Sequence, residues 1–183
     1  MYHTTSGEGM EVLAQRELFA PLGITDWLWD VDPQGFAYGG HGLHLRTEDL
    51  AKIGLLFLNA GSWDGVQVVP ESWVVEATTP RYGWGDSFGA LEDLDYGYLW
   101  WTAEVNGHPA FLAWGWGGQF ALCVPEMAVV IATAADGMVW SDEARIQELA
   151  LLHLMVDEVL AAMRPLVVFS DAFEDGTTGQ WTR

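Results

Sequence analysis

The chain has 183 residues, 50% of them hydrophobic, so it is long and apolar enough to form a domain with a core, and intrinsic disorder is excluded. Seven basic residues against 26 acidic ones give a formal net charge of −19, which repels phosphate backbones and argues against nucleic acid as a partner. No apolar run approaches the roughly 20 residues of a membrane span. Residues 1–8 lack the pattern of a signal peptide, and a single cysteine, Cys123, excludes an internal disulfide.

The first half of the chain is predicted to consist of helices joined by loops. Apolar residues recur there at helical spacing in three segments. These are residues 9–20, which end before Pro21; residues 48–60, capped by Thr47 and ended by Gly61; and residues 71–78, in which Trp73 and Val74 face inward. Residues 24–46 and 80–95 have no sustained period and are predicted to be loops.

Beyond residue 95 the pattern changes to that of strands. Four are predicted, at residues 96–105, 110–114, 118–124 and 127–133. Hairpin turns are expected at Asn106-Gly107 and Pro125-Glu126. The sequence therefore predicts a short antiparallel sheet of three or four strands after the helices.

A last helix, capped by Ser141, is predicted up to Met163. Its apolar residues step by three or four along one face: Ile146, Leu149, Leu152, Val156, Val159 and Met163. The apolar face of such a helix must be buried, and the predicted sheet offers a surface for it to pack on. The expected fold class is therefore α/β of the α+β type, with this helix packed on the antiparallel sheet.

The composition changes after this helix. We interpret residues 1–164 as one domain and residues 165–183 as a linker that leads into the start of a truncated following module. The β-branched run Val167-Val168-Phe169 opens that tail.

A nucleophile-elbow pattern, G-x-S-x-G, occurs once, at Gly85-Asp86-Ser87-Phe88-Gly89. An elbow joins a strand to a helix, whereas this segment lies in a predicted loop with no helix after it. A glycine-rich turn is therefore the favoured interpretation. The alternative is an esterase that uses Ser87 with His108 as its base.

Two histidines, His41 and His44, stand three residues apart beside glycines and could face one side of a turn. A metal ion would need a third ligand, and the nearby acids Glu48 and Asp49 are already explained by the helix that begins there. We expect no metal ion and no cofactor.

The remaining reactive side chains have plainer explanations. Cys123 lies between Leu122 and Val124 in a strand, which favours a buried thiol over a reactive one. His153 lies beside the apolar face of the last helix. The acidic residues Glu92, Asp93 and Asp95 are interpreted as part of a solvated loop. The alternative is general acid–base catalysis by paired carboxylates in a cleft.

The most informative segment combines tryptophan with glycine at the start of a predicted strand. Glycines remove side chains where a backbone is approached closely, and indoles supply flat walls. The segment is interpreted as one wall of a substrate pocket, formed by Trp114, Gly115, Trp116, Gly117, Gly118 and Gln119. The equally weighted alternative is that the glycines only make room for bulky tryptophan rings of neighbouring strands.

The order of several motifs resembles the C-terminal half of the class C β-lactamase-related serine hydrolases, most closely the 6-aminohexanoate-dimer hydrolase type of esterase and amidase. The resemblance covers roughly residues 6–162. It rests on ELFAPLGI at 17–24, GL at 42–43, TEDLAKIGL at 47–55, GSWDG at 61–65, VPESWV at 69–74, YGYLWW at 96–101 and GWGGQ at 115–119.

The resemblance implies acyl transfer through an acyl-enzyme, with a serine and lysine in S-x-x-K, a tyrosine in Y-x-N and a third motif of K-T-G type. Ala113-Trp114-Gly115 falls at the third motif, where Gly115 alone agrees. The first motif is absent, because Lys52 is the only lysine and Asp49 stands three residues before it. No tyrosine is followed two positions later by asparagine, and Tyr2 lies too close to Ser6 to be the catalytic tyrosine.

The expected function is therefore that of a fragment of a serine hydrolase for a small ester or amide, inactive alone. Its partner would be that substrate in the complete enzyme, and no oligomeric state is implied. The rival is a non-catalytic module that binds a sugar or peptide with Trp84, Trp101, Trp114 and Trp116. The tail and the acidic, lysine-poor composition suggest a secreted or periplasmic full-length protein.

Overall fold

The computed structural model describes residues 7–83 and 85–163. Four features of the sequence analysis lie outside the described residues: Tyr2, Ser6, Trp84 of the proposed binding module and the tail at 165–183. The predicted fold class is confirmed: helices precede an antiparallel sheet, and helices cover both of its faces.

Four helices are described. They are α1, Met10–Ala14, which continues as a π-helix over Gln15–Phe19; α2, Thr47–Leu58; α3, Glu71–Ala77; and α4, Ser141–Leu152, which continues as a π-helix over His153–Leu160. The capping predictions are wrong. Thr47 and Ser141 are the first helical residues, while Arg46 and Trp140 precede them. At α4 the Glu143 carboxylate instead accepts the Trp140 backbone N–H at 3.4 Å.

Nine short or medium strands form three antiparallel sheets. Two are two-stranded: β1, Trp27–Trp29, with β2, Leu43–Leu45; and β3, Ser62–Trp63, with β4, Val66–Gln67. The third is a meander of β5, Glu92–Tyr96; β6, Trp101–Val105; β7, His108–Gly115; β8, Gln119–Val124; and β9, Val129–Thr133.

The main sheet has five strands, so the expected three or four were too few. Residues 96–105, predicted as one strand, are interrupted by a tight turn in which Leu99 has φ 63°. Strand β5 was predicted to be loop, because its acidic residues hide the alternation in which only Leu94 is fully buried. The predicted turn at Asn106-Gly107 is present, with both residues at positive φ.

Helix α2 covers one face of the sheet, and α4 covers the other. Gly54 lets α2 approach closely, because a Cβ there would lie 2.8 Å from Val130 Cγ1 and 3.3 Å from Cys123 Sγ. In α3, Val74 is buried as predicted, whereas Trp73 is 45% exposed and stacks on Tyr98.

The buried face of α4 agrees with the predicted one at Leu152 and Val156 and differs from it elsewhere. Ile146, Val159 and Met163 are exposed. The buried residues recur every fourth position instead, with Met155 beside them: Ala144, Glu148, Leu152, Val156 and Leu160. Residues four apart are neighbours on one face of an α-helix, and the π-helical half, with its wider turns, begins only at His153.

The two edges of the main sheet differ in composition. Strand β9 presents half-buried Val129, Val130 and Ile131, whereas β5 carries three acids. Within the described residues, the search for a helix long and apolar enough to cross a bilayer finds none.

Candidate functional site

The tryptophan-glycine segment forms the hairpin between β7 and β8. Gly115 pairs with Gln119 at the end of the ladder, and the Gly118 N–H donates to the Gly115 carbonyl at 3.2 Å. Gly117 and Gly118 have φ values of 78° and 104°. Only glycine adopts such a conformation without strain, so the backbone of this turn depends on these two residues.

The turn is held from behind by α4. The Gly117 N–H donates to Glu148 Oε1 at 2.9 Å, and a Cβ on Gly118 would collide with Leu151 of the same helix. A Cβ on Gly117 would lie 2.8 Å from the Asp136 carbonyl oxygen. The space left by these glycines is therefore filled by α4 and by the 134–140 loop, not by tryptophan rings of neighbouring strands.

The two tryptophans of the segment lie in different environments. Trp114 packs into the core on the α4 side, with ring centroids 4.8 Å from Phe88, 5.2 Å from Trp101 and 5.7 Å from Phe120. Trp116 is 53% exposed, and its indole N–H donates to the Val139 carbonyl at 3.2 Å. The six predicted pocket residues are consecutive and form one hairpin. Of the two tryptophan rings in it, only that of Trp116 is largely exposed.

Side chains of neighbouring elements fix both ends of the 134–140 loop against the turn. Gln119 Nε2 donates to the Ala135 carbonyl at 3.3 Å. The Thr133 hydroxyl donates to the Gly118 carbonyl at 2.8 Å and accepts the Phe120 N–H at 3.3 Å. Several independent hydrogen bonds therefore hold the turn in one conformation.

One backbone donor of the turn stays unused. Within residues 7–83 and 85–163, no acceptor pairs with the backbone N–H of Trp116. Strand β7 also runs past β6, whose pairing ends at Trp101 opposite Leu112, so residues 113–115 are not paired with β6. A fixed turn with a free N–H at an open strand end can donate to a negatively charged or polarised oxygen.

Glu148 is the residue that sequence reasoning missed. Its side chain is 8% exposed and lies on the buried face of α4 between Ala144 and Leu152. The available signal was a carboxylate four residues before Leu152, a spacing that puts both side chains on one face of a helix.

The only lysine, Lys52, serves a structural role. Its Nζ donates to Asp49 Oδ1 at 2.6 Å, and Asp49 is one of the few buried charged residues of the described chain. Its side chain therefore takes part in an ion pair within α2.

The elbow segment does not form an elbow. Phe88 bridges to Leu91, and a strand follows, not a helix. Phe88 also packs on Trp114, six residues along β7 from His108, which is about 20 Å in a strand. His108 in turn binds Glu126 at 2.8 Å, at the far end of the sheet from Ser87.

The histidines and the thiol are engaged elsewhere. His41 stacks on Tyr38 and His44 binds Asp30 at 3.1 Å, and within the described residues no group of three ligands suits a metal ion. Cys123 is fully buried, and burial raises the pKa of its thiol to about 12, so it is not a thiolate at neutral pH. His153 binds Asp157 at 2.7 Å on the helix surface.

The acidic cluster of β5 contains one carboxylate with a structural role. Asp95 Oδ1 accepts backbone N–H groups of Tyr96, Tyr82 and Arg81, and these hydrogen bonds hold the pKa of the Asp95 carboxyl below its ordinary value. Asp95 thus fastens the 80–83 loop to the sheet. An open cleft among the described residues lies at α1 and is lined by Glu11, Val12, Gln15, Arg16 and Trp27.

The fold is that of a serine hydrolase-like α/β domain. The model of the beta-lactamase family matches residues 2–154, so the chain belongs to that family. No curated protein matches the chain at a significant level.

Solved structures show the same fold. A Bacillus anthracis protein described as a 6-aminohexanoate-dimer hydrolase is 20% identical with a TM-score of 0.58, over 82% of this chain and 39% of that protein. A penicillin-binding protein homologue from Caulobacter crescentus is 16% identical with a TM-score of 0.51, over 79% of this chain and 52% of that one. The chain thus spans about two fifths to one half of these proteins.

Proposed function

We propose that this chain supplies the sheet side of an acyl-transfer site in a serine hydrolase that cleaves a small ester or amide. The observation that carries the proposal is the unpaired Trp116 N–H on a turn that other hydrogen bonds hold fixed. Acyl transfer develops negative charge on the carbonyl oxygen of the substrate, and a preorganised backbone N–H stabilises that charge. The similarity to hydrolases of the beta-lactamase family supports this assignment.

The nucleophile is proposed to come from outside these 183 residues. The sequence has no S-x-x-K, and its single lysine is bound to Asp49. His108, the base considered for Ser87, lies at the other end of β7 from Trp114, on which the neighbouring Phe88 packs. Donors without a nucleophile typically retain about 10³- to 10⁴-fold acceleration over water, against 10⁶-fold or more for whole enzymes.

The test is to incubate the 183-residue protein with a nitrophenyl ester and with a fluorophosphonate probe. We expect no burst of nitrophenol and no covalent adduct by intact mass. A stoichiometric adduct on any serine would show that a nucleophile exists within the chain and would overturn the proposal. Ser87→Ala is the matched control, because loss of an adduct in that variant alone would identify Ser87.

The competing function is a ligand-binding module. Exposure of the Trp116 ring favours it, whereas the packing of half-buried Trp114 against half-buried Trp101 reduces the aromatic wall that a sugar would stack on. The reading frame upstream of Met1 distinguishes the hydrolase from the ligand-binding module. A frame that encodes S-x-x-K followed by Y-x-N supports the hydrolase, and a true start site supports the module.

A further inference from the structure

Glu148 is a buried carboxylate with an unusual environment. It is 8% exposed, its Oε1 accepts the Gly117 N–H, and no lysine, arginine or histidine of the described residues forms an ion pair with it. A carboxylate removed from water is costly unless hydrogen bonds or a counter-charge compensate. An apolar residue would serve the packing of α4 at lower cost, so the hydrogen bond to the turn is the feature that needs this side chain.

The hydrogen bond determines how the turn presents its donors. Of the three N–H groups at 116–118, Gly118 donates within the turn and Gly117 donates to Glu148, which leaves that of Trp116 free. Leu151, three residues after Glu148 on α4, packs against Gly118. One face of one helix therefore orients two successive peptide units of the turn.

We propose that Glu148 is a positioning residue, which holds the Gly115–Gly118 turn so that the Trp116 N–H points to the reacting carbonyl oxygen. This inference rests on the proposed function. Its role is geometric, since a negative charge near a developing oxyanion raises the energy of that oxyanion. A neutral acceptor of the same length should therefore do as well.

The test compares three substitutions by amide hydrogen exchange of the 183-residue protein. Glu148→Gln keeps an oxygen acceptor and the length. Glu148→Asp keeps the charge but is one methylene too short to reach Gly117, and Glu148→Leu removes the acceptor. Glu158→Leu, on the exposed side of the same helix, is the matched control.

We expect exchange at Gly117 to accelerate roughly tenfold to hundredfold in the Asp and Leu variants, because both leave the Gly117 N–H without its acceptor. Trp116 should shift its amide resonance in the same variants. Glu148→Gln and Glu158→Leu should match the parent protein within about threefold. Unchanged exchange in Glu148→Asp, or exchange in Glu148→Gln as fast as in Glu148→Asp, would overturn the proposal. If Glu148→Leu does not fold, the comparison of Gly117 exchange in Glu148→Asp and Glu148→Gln still tests the proposal.

A second measurement uses the longer protein that the reading frame upstream of Met1 would encode, with its S-x-x-K motif included. Glu148→Asp should lower kcat about tenfold or more with KM within twofold, since misplacing a catalytic donor affects the transition state most. Equal loss in Glu148→Gln, or a rise in KM alone, would contradict a positioning role. The exchange result does not depend on catalysis, so a protein that shows the exchange pattern and no serine-dependent activity would refute the proposed function and leave the anchoring by Glu148 intact.

Discussion

Lys52 Nζ lies 2.6 Å from Asp49 Oδ1, three residues away on α2, with side chains 31% and 6% exposed respectively. The single lysine of the chain is thus the partner of a nearly buried carboxylate. The attraction between the two ions offsets the free energy lost when each is removed from water. If one of them is removed, the other stays buried without this compensation and the fold is destabilised.

Replacing Lys52 by methionine should therefore destabilise the protein by about 2 kcal/mol, the typical cost of leaving a buried charged group without its partner. Urea unfolding followed by tryptophan fluorescence measures it. In the double variant with Asp49→Asn the loss should be smaller than the sum of the two single losses. Strict additivity would show that the pair has no energetic coupling.

Replacing Leu99 by glycine should stabilise the protein by about 0.5–1 kcal/mol. Leu99 has φ 63° and is 78% exposed, so its side chain strains the backbone and buries little. Relief of left-handed strain exceeds the added flexibility of glycine in the unfolded chain. Thermal unfolding checks this against Leu99→Ala, which keeps the strain and should leave the melting temperature near that of the parent. A lower melting temperature for the glycine variant would refute the argument.

Gly54→Ala should cost about 1–3 kcal/mol even though alanine is the better helix former. The new methyl would collide with Val130 and press on Cys123, so α2 would move off the sheet. Val130→Ala in the same chain should restore part of the loss. Gly40→Ala, where a Cβ meets nothing within 4 Å, is the control expected to show no comparable effect.

The contribution of Asp95 should depend on pH in the acid range. Backbone N–H groups, that of Tyr96 first, lower the pKa of Asp95 in the folded protein. A carboxyl with a lowered folded pKa stabilises the fold above its unfolded pKa of about 3.9, and that stabilisation is lost as the pH falls through the folded value. Asp95→Ala should therefore be less stable than the parent at pH 7, with the difference shrinking below about pH 4. Unfolding curves from pH 7 to 2 measure it, with Glu92→Ala as the control; a pH-independent difference would contradict the assignment.

Hydrophobic periodicity predicted the helices and strands β6 to β9, because burial of one face repeats at a fixed spacing, but it did not predict β1 and β2, which lie within residues 24–46 that were expected to be loop. It failed where another force set the pattern. Strand β5 is acidic because Asp95 accepts backbone donors from the 80–83 loop, and Leu99 hides a turn because a leucine occupies a left-handed position. In α4, the buried face includes Ala144 and Glu148 while Ile146 and Val159 are exposed, and a pattern of apolar residues does not place a carboxylate in a core.

The sequence by itself determined the class of fold, the family resemblance, the lack of an S-x-x-K motif and the place of the tryptophan-glycine segment along the chain. Only the tertiary structure decided what that segment does. It packs Trp114 against Trp101, exposes Trp116 and brings Glu148, 31 residues further along, to the Gly117 N–H. A hydrogen bond between residues so far apart depends on how α4 crosses the sheet, and that geometry is set by the packing of the whole core rather than by any local pattern.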